Sequence, residues 1–303
     1  MVASPRGFCA GVDRAIEIVE EALDRFGPPV YVRHEIVHNQ HVVNALREKG
    51  AIFVEDPETV PEGSLLIFSA HGVSPAVRSA AERNGLQVID ATCPLVTKVH
   101  KEAVRLAKQG YDIVLIGHAG HVEVQGTMGH APDRMHLVES VEDAEALEVG
   151  NPSMLGCVTQ TTLSVDDTRE IMETLRRRFP EILLPRRDDI CYATQNRQNA
   201  VKKMTTKSDV VIVVGAPASS NSNRLVELAA KQGARSYLVQ DASDIDPHWL
   251  TNTRCVGITA GASTPEVLVE EVVGRLTALG ASNVVRQPAV DEGMVFPLPT
   301  SLR

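Results

Sequence analysis

Three stretches set a cysteine at the mouth of an amphipathic run: "RGFCAGVDRAIEIVEEAL" around Cys9, "ATCPLVTKVHKEAVRLA" around Cys93 and "DICYATQNRQNAVKKM" around Cys191. A thiol at the start of a helix is poised to be a thiolate, because free N–H groups and the helix dipole favour negative charge there. Three thiolates at one point suit a soft metal: an iron–sulfur cluster, or zinc if a histidine completes the set. A cubane with three protein ligands leaves one iron open to bind a substrate oxygen as a Lewis acid. Cys157 and Cys255 fall within apolar strand-like runs and read as small buried hydrophobes.

The elements that must position these thiols recur in threes. A strand begins 21, 20 and 19 residues after the three cysteines: "VYVRHE" at Val30, "IVLIGH" at Ile113 and "VVIVVG" at Val210. Each strand ends in a polar loop, at His38, His121 and Ser220, which lie 29, 28 and 29 residues after the cysteine. A helix–strand pair follows, least helical in the middle copy around "GTMGHAPDRMHLVE". Then comes a third strand, "LLIFSAHG", "MLGCVTQTT" or "CVGITAGAS", whose end carries His71, Thr161 or Ser263. The next helix opens at Ser74 or Thr264 before a proline, or at Ser164 in a capping box with Asp167. A short fourth strand closes each copy: "QVID", "EILL" and "NVVR".

Strands alternating with helices imply small, mostly parallel sheets. We therefore expect an α/β protein of three pseudo-threefold-related units: residues 10–93, 94–188, and 189–286 together with 1–9. Residues 287–303 are expected to form a C-terminal tail.

In open α/β sheets ligands gather beyond the carboxyl ends of the strands. His38, His71 and His121 occupy such ends, and "TQTT", "SSNSN" and "AGAS" occupy the others. Backbone N–H groups there are available to an anion, with hydroxyl, amide and imidazole groups beside them. No Walker loop or G-x-G-x-x-G is present, so a nucleotide is not indicated. Glu123 lies two residues past His121, close to these signatures. A carboxyl in a closed, apolar-walled site can stay protonated and act as an acid; outside such a site it reads as a solvated surface glutamate. His34, His100, His118, His130 and His136 read as structural.

A net charge of −9 with 4% aromatic residues disfavours nucleic acid as a partner. No apolar run is long enough to span a membrane, and the N-terminus shows no secretory signal. Five cysteines, an odd count without close pairs, point to a reducing cytoplasm.

Taken in order, "PRGFCAGVDRAI", "YVRHEIVHN", "FSAHGVS", "DATCPLVTKVH", "IGHAGHVEVQGTMG", "TQTTLSVDDT", "DDICYAT", "SSNSNRL" and "TAGAS" resemble the 4-hydroxy-3-methylbut-2-enyl diphosphate reductase family over nearly the whole chain. The resemblance implies a trefoil of three α/β units around a central [4Fe–4S] cluster held by Cys9, Cys93 and Cys191. It implies a diphosphate held by His38, His71, Ser219, Ser220, Asn221 and Ser263, with His121 lining the same pocket. Glu123 matches the family's proton donor, and Thr161 its partner in orienting the substrate hydroxyl, which binds the open iron. The implied reaction removes that hydroxyl as water with two electrons and two protons. It yields isopentenyl and dimethylallyl diphosphate, in the last step of the methylerythritol phosphate route. Ferredoxin or flavodoxin is the implied electron donor. Two local departures stand out: Val122 where the family commonly has proline, and Ala216-Pro217-Ala218 before the Ser-Ser-Asn run.

Overall fold

The structure, a computed structural model, describes residues 1–185 and 189–303. The boundary expected at residue 188 lies outside the described residues. The chain runs through α1 (Ala10–Phe26), β1 (Val30–Arg33), α2 (Gln40–Glu48), β2 (Ala51–Val54), β3 (Leu65–Phe68), α3 (Pro75–Arg83) and β4 (Gln87–Asp90). It continues with α4 (Pro94–Lys108), β5 (Asp112–Ile116), α5 (Val122–Met128), β6 (Met135–Val138), α6 (Val141–Ala146), β7 (Leu155–Thr159) and α7 (Val165–Arg178). Last come α8 (Tyr192–Thr205), β8 (Val210–Val214), α9 (Ser220–Lys231), β9 (Arg235–Val239), β10 (Val256–Ala260) and α10 (Glu266–Ala278).

Among the described residues these strands form three sheets, ordered β2-β1-β3-β4, β6-β5-β7 and β9-β8-β10, and every strand pair in them is parallel. The first strand of each set is flanked by the next two, so the three sheets share one connectivity. The α/β class with small parallel sheets expected from the repeat is what the chain adopts. By density of contacts it forms two compact units. One comprises residues 1–13, 38–42 and 192–295 and contains the β8–β10 sheet. The other comprises 14–37, 43–191 and 296–303 and contains the remaining two.

Burial on both faces explains the continuous apolar strands. In β8, Val210, Ile212 and Val214 pack on one side with Val269, Val272 and Leu276 of α10. Val211 and Val213 pack on the other with Val201 and Met204 of α8 and Leu225 of α9. In β5, Ile113 and Leu115 meet Val99, Ala103 and Leu106 of α4, whereas Val114 and Ile116 meet Ile171 and Leu175 of α7. The period of two along each strand thus assigns its two faces to different helices.

The edge beside the third strand is where the copies diverge. In the first sheet it is a regular strand, β4, paired with β3. In the second, "EILL" makes a single bridge, Leu183 to Gly156, rather than the expected strand. Pro180 and Pro185 bracket it and limit its ladder. In the third, Val2 takes the edge position by bridging Ile258, and "NVVR" reaches only the outer side of Val2 through Arg286. The middle copy's first helix after β5 begins at Val122, earlier than the segment marked as least helical, and His121 caps it. Ser74 and Ser164 cap α3 and α7 as expected, by accepting the N–H of Val77 and Asp167. Thr264 does not cap α10; its hydroxyl donates to Val214 O, and the helix begins after Pro265.

A histidine pair underlies the β3–α3 turn. The rings of His100 and His130 lie 4.2 Å apart between centroids, and both Nε2 atoms are buried without a partner. Burial and the neighbouring His130 push His100 down to about 4. Between that value and the ordinary 6.5 the unfolded chain binds the extra proton, so stability rises with pH across this window and falls as pH drops through it. The penalty from His100 at pH 5 is about 2 kcal/mol. His100→Phe is expected to recover most of it, measured as a smaller difference between urea midpoints at pH 5 and pH 7 than in the parent chain.

Candidate functional site

Each of the three repeat cysteines is the residue immediately before a helix: α1, α4 and α8. Each backbone N–H is donated to a carbonyl in the loop that ends a third strand: Cys9 to Ala262 O at 3.3 Å, Cys93 to Ala70 O at 3.0 Å and Cys191 to Thr161 O at 3.0 Å. Ala262, Ala70 and Thr161 each lie two residues beyond the last residue of β10, β3 or β7. The same bond thus holds each thiol-bearing turn against its sheet.

All three thiols are half-buried. Burial pushes the Cys9 thiol up, and the Arg197 guanidinium offsets part of that rise. Each thiol stands at a helix N-terminus, where negative charge is favoured, and thiolate is a donor that soft metals take. Cys157 in β7 is buried and its thiol is pushed far up by desolvation, as suits a packing residue. Cys255 is half-buried and precedes β10 rather than lying within it.

In the larger unit, Glu123 sits in the first turn of α5 and is 3% exposed. Its carboxylate accepts the Thr161 N–H at 2.7 Å and the Thr161 hydroxyl at 3.1 Å. Burial raises the carboxyl to about 7, against those two bonds, and the charge of Asp189 adds to the rise. Thr161 thereby links Glu123 to Cys191, whose N–H its carbonyl accepts. Asp189 accepts the Thr159 N–H at 3.3 Å and pairs with Lys98 at 3.1 Å.

His121 caps the same helix, its Nδ1 accepting the Glu123 N–H at 3.2 Å. In a neutral ring that bond leaves the proton on Nε2. His71 Nδ1 pairs with Ser69 Oγ at 3.2 Å, and the His71 and His121 rings stand edge to face, 6.2 Å between centroids.

In the smaller unit, Ser219 caps α9 by accepting the Ser222 N–H, and Ser222 Oγ donates back to Ser219 Oγ at 3.0 Å. Ser222 Oγ occupies the space a Cβ would need at Gly215 and Gly261, so both strand ends must be glycine for this helix to sit so close. Asn221 Oδ1 accepts the Ala262 N–H at 2.9 Å, and its Nδ2 donates to Thr194 Oγ1 at 3.3 Å. Ser263 Oγ donates to His38 O at 3.0 Å, and Asn39 beside it caps α2 through the Val42 N–H. Ser219, Ser220, Asn221 and Ser263 are all buried. A buried helix N-terminus rich in hydroxyl and amide groups suits an anion without bringing a counter-charge. Ala216-Pro217-Ala218 forms the turn before it, closed by Ser219 N–H to Ala216 O and by Asn223 Nδ2 to Pro217 O.

The expected residues therefore fall into two groups: His71, Cys93, His121, Glu123, Thr161 and Cys191 in one unit, and Cys9, His38, Ser219, Ser220, Asn221 and Ser263 in the other. Three supporting residues escaped the sequence reading: Thr194, which is fully buried beneath Asn221, Asp189, and Arg197. Arg197 and Thr194 stand in the quoted stretch after Cys191. Their spacing of three on α8 was the available signal.

A family model described as LytB protein matches residues 1–277. The 4-hydroxy-3-methylbut-2-enyl diphosphate reductase of Aromatoleum aromaticum is 61% identical over 303 residues, all of this chain and 97% of that protein. The enzyme of the same name from Pectobacterium carotovorum is 58% identical over 306 residues, all of this chain and 97% of its own. The solved E-1-hydroxy-2-methyl-but-2-enyl-4-diphosphate reductase from Plasmodium falciparum superposes with a TM-score of 0.95 at 44% identity, covering 99% of this chain and 95% of that one. A second solved (E)-4-hydroxy-3-methyl-but-2-enyl diphosphate reductase gives 0.64 at 34% identity, over 92% and 98%.

The Glu123–Thr161 contact sets a measurable midpoint. Difference infrared titration of the protonated Glu123 carboxyl, identified by its loss in Glu123→Gln, is expected to turn over at about 7. Thr161→Val removes one hydrogen bond to the charged form and is expected to move that midpoint up. An unchanged or lower midpoint would contradict the assigned contact.

Proposed function

Because this chain belongs to the LytB family, we propose that it catalyses the reductive dehydroxylation of (E)-4-hydroxy-3-methylbut-2-enyl diphosphate. The products are isopentenyl and dimethylallyl diphosphate, in the last step of the methylerythritol phosphate route to isoprenoids. It is an oxidoreductase of an iron–sulfur family. The observation that carries the reading is Glu123, a buried acid near neutrality that Thr161 joins to the Cys191 turn.

Cys9, Cys93 and Cys191 are the residues that would hold a [4Fe–4S] cluster. When bound, the cluster supplies two electrons one at a time and a Lewis-acidic iron toward the substrate hydroxyl. The protein's own residues do the rest. Ser219, Ser220, Asn221 and Ser263, with His38 and His71, hold the diphosphate oxygens. Thr161 orients the substrate hydroxyl and fixes the Glu123 carboxyl, and His121 lines the pocket beside it.

Protonated Glu123 gives its proton to the departing oxygen, which leaves as water rather than hydroxide. The second proton goes to carbon, where its position decides between the two products. Burial raises the Glu123 carboxyl to about 7, so about half of it carries the proton at pH 7 and more below that.

The electrons come from ferredoxin or flavodoxin in this reading. Among the described residues no helix is long and apolar enough to cross a membrane. Five reduced thiols support a cytoplasmic setting.

The test is anaerobic purification with iron and sulfide determination, followed by substrate-dependent reoxidation of a reduced dye. Glu123→Gln is expected to keep iron and sulfide near parent levels and to lose roughly 99% of turnover, the scale of a general acid. Turnover that falls as pH rises through about 7 in the parent chain would accompany it. Near-parent turnover in Glu123→Gln removes this residue from the mechanism. A colourless, iron-free parent protein removes the cluster.

A further inference from the structure

Arg197 is the largest fully buried side chain among the described residues. It lies in the second turn of α8, five residues after Tyr192. Its Nε and Nη2 donate to Gly7 O at 3.0 and 2.7 Å, and Nη2 also donates to Phe8 O at 3.0 Å. Nη1 donates to Ala193 O at 2.9 Å, in the first turn of the same helix. The guanidinium therefore grips the two peptide carbonyls that precede Cys9.

From the other side, that loop is tied to β10 by Gly7 N–H to Ala260 O and Cys9 N–H to Ala262 O. Gly7 has φ +65, and a Cβ there would stand 3.0 Å from Thr264 O, so the turn is open only to glycine.

The counter-charge to Arg197 comes from the C-terminal segment, which the reaction leaves unexplained. Glu292 meets Nη1 and Nη2 at 3.2 to 3.3 Å and also accepts Asn196 Nδ2 at 2.8 Å. The segment reaches it by following the N-terminal strand: Val2 N–H to Val285 O, Gln287 N–H to Val2 O, and Val290 N–H to Ser4 Oγ. The strap thus places a carboxylate on the buried guanidinium that holds the Cys9 loop.

We propose that Arg197 and Glu292 are positioning residues that hold the Cys9 loop in its ligand-ready shape before any cofactor arrives, which makes the strap a part of cofactor assembly. Geometry supports Arg over Lys here, since only a fork spans Gly7, Phe8 and Ala193 together. Removal of Glu292 leaves an unpaired buried charge, which is costly where the pair is not. The guanidinium then turns toward water and releases the loop. The assembly role rests on the reading of Cys9 as a ligand; the loop-holding role does not.

The test uses the full-length chain without cofactor. Hydrogen exchange of the segment from Ser4 to Cys9 is expected to run about tenfold faster in Glu292→Ala, with the α9 and α10 amides within twofold of the parent. Glu292→Gln keeps the shape and removes the charge, and it serves if the alanine variant does not fold, with the same segment affected. Iron retained after reconstitution and a chelator challenge is expected to drop at least threefold in either variant. Exchange that is unchanged, or that rises equally throughout the unit, overturns the loop-holding role. Faster exchange with iron retention at the parent level overturns the assembly role alone. A parent chain that takes up no iron removes the cluster reading, while the exchange result still judges the clasp.

Discussion

One hydrogen bond, made three times, is the constraint on which the rest depends. A cysteine N–H is donated to a carbonyl two residues past the end of a third strand, at Ala70, Thr161 and Ala262. It links the regular part of each sheet to the turn that carries a thiol, and it leaves the following helix to start at the next residue. Because a parallel sheet presents its strand ends on one side, every group that follows a strand end shares that side. Within each sheet, the thiol-bearing turn and the polar loop ends follow from this placement.

The charge economy of the site follows from its burial. The cationic side chains near the functional residues are committed elsewhere: Lys98 to Asp189, and Arg197 to Glu292 and backbone carbonyls. The buried polar group in the smaller unit is built of neutral side chains: Ser219, Ser220 and Asn221 at the start of α9, and Ser263 after β10. Neutral donors bring no desolvated charge that would need a partner. Glu123 obeys the same economy. Burial lifts its carboxyl to about 7, although Thr161 offers two hydrogen bonds to the charged form.

The deviations from strict threefold repetition have physical causes. In the third copy Val2, not a strand that follows the third one, takes the edge of the β10 sheet by bridging Ile258. The C-terminal segment then lies outside Val2 and continues as a strap to Glu292. In the middle copy two prolines shorten the edge to one bridge, and α5 is a helix of seven residues whose first turn holds Glu123. Val122 serves at its first helical position without difficulty, because His121 supplies the cap that fixes the entry.

Local pattern alone was enough to reveal the three copies, the parallel α/β class, the helix that follows each of Cys9, Cys93 and Cys191, and the loop ends at His38, His71 and His121. These are short-range properties: strand runs buried on both faces, helical periodicity, and fixed offsets from a thiol. Tertiary structure decided what depends on partners distant in the chain. Thr264 looked like a cap and became a donor to Val214, 50 residues away. Arg197 was not set apart by local pattern. It is fully buried because its partners, Gly7, Phe8 and Glu292, stand 190, 189 and 95 residues away. The acidity of Glu123 belongs to the same class, since desolvation is a property of everything that packs around a group, and no sequence window contains it.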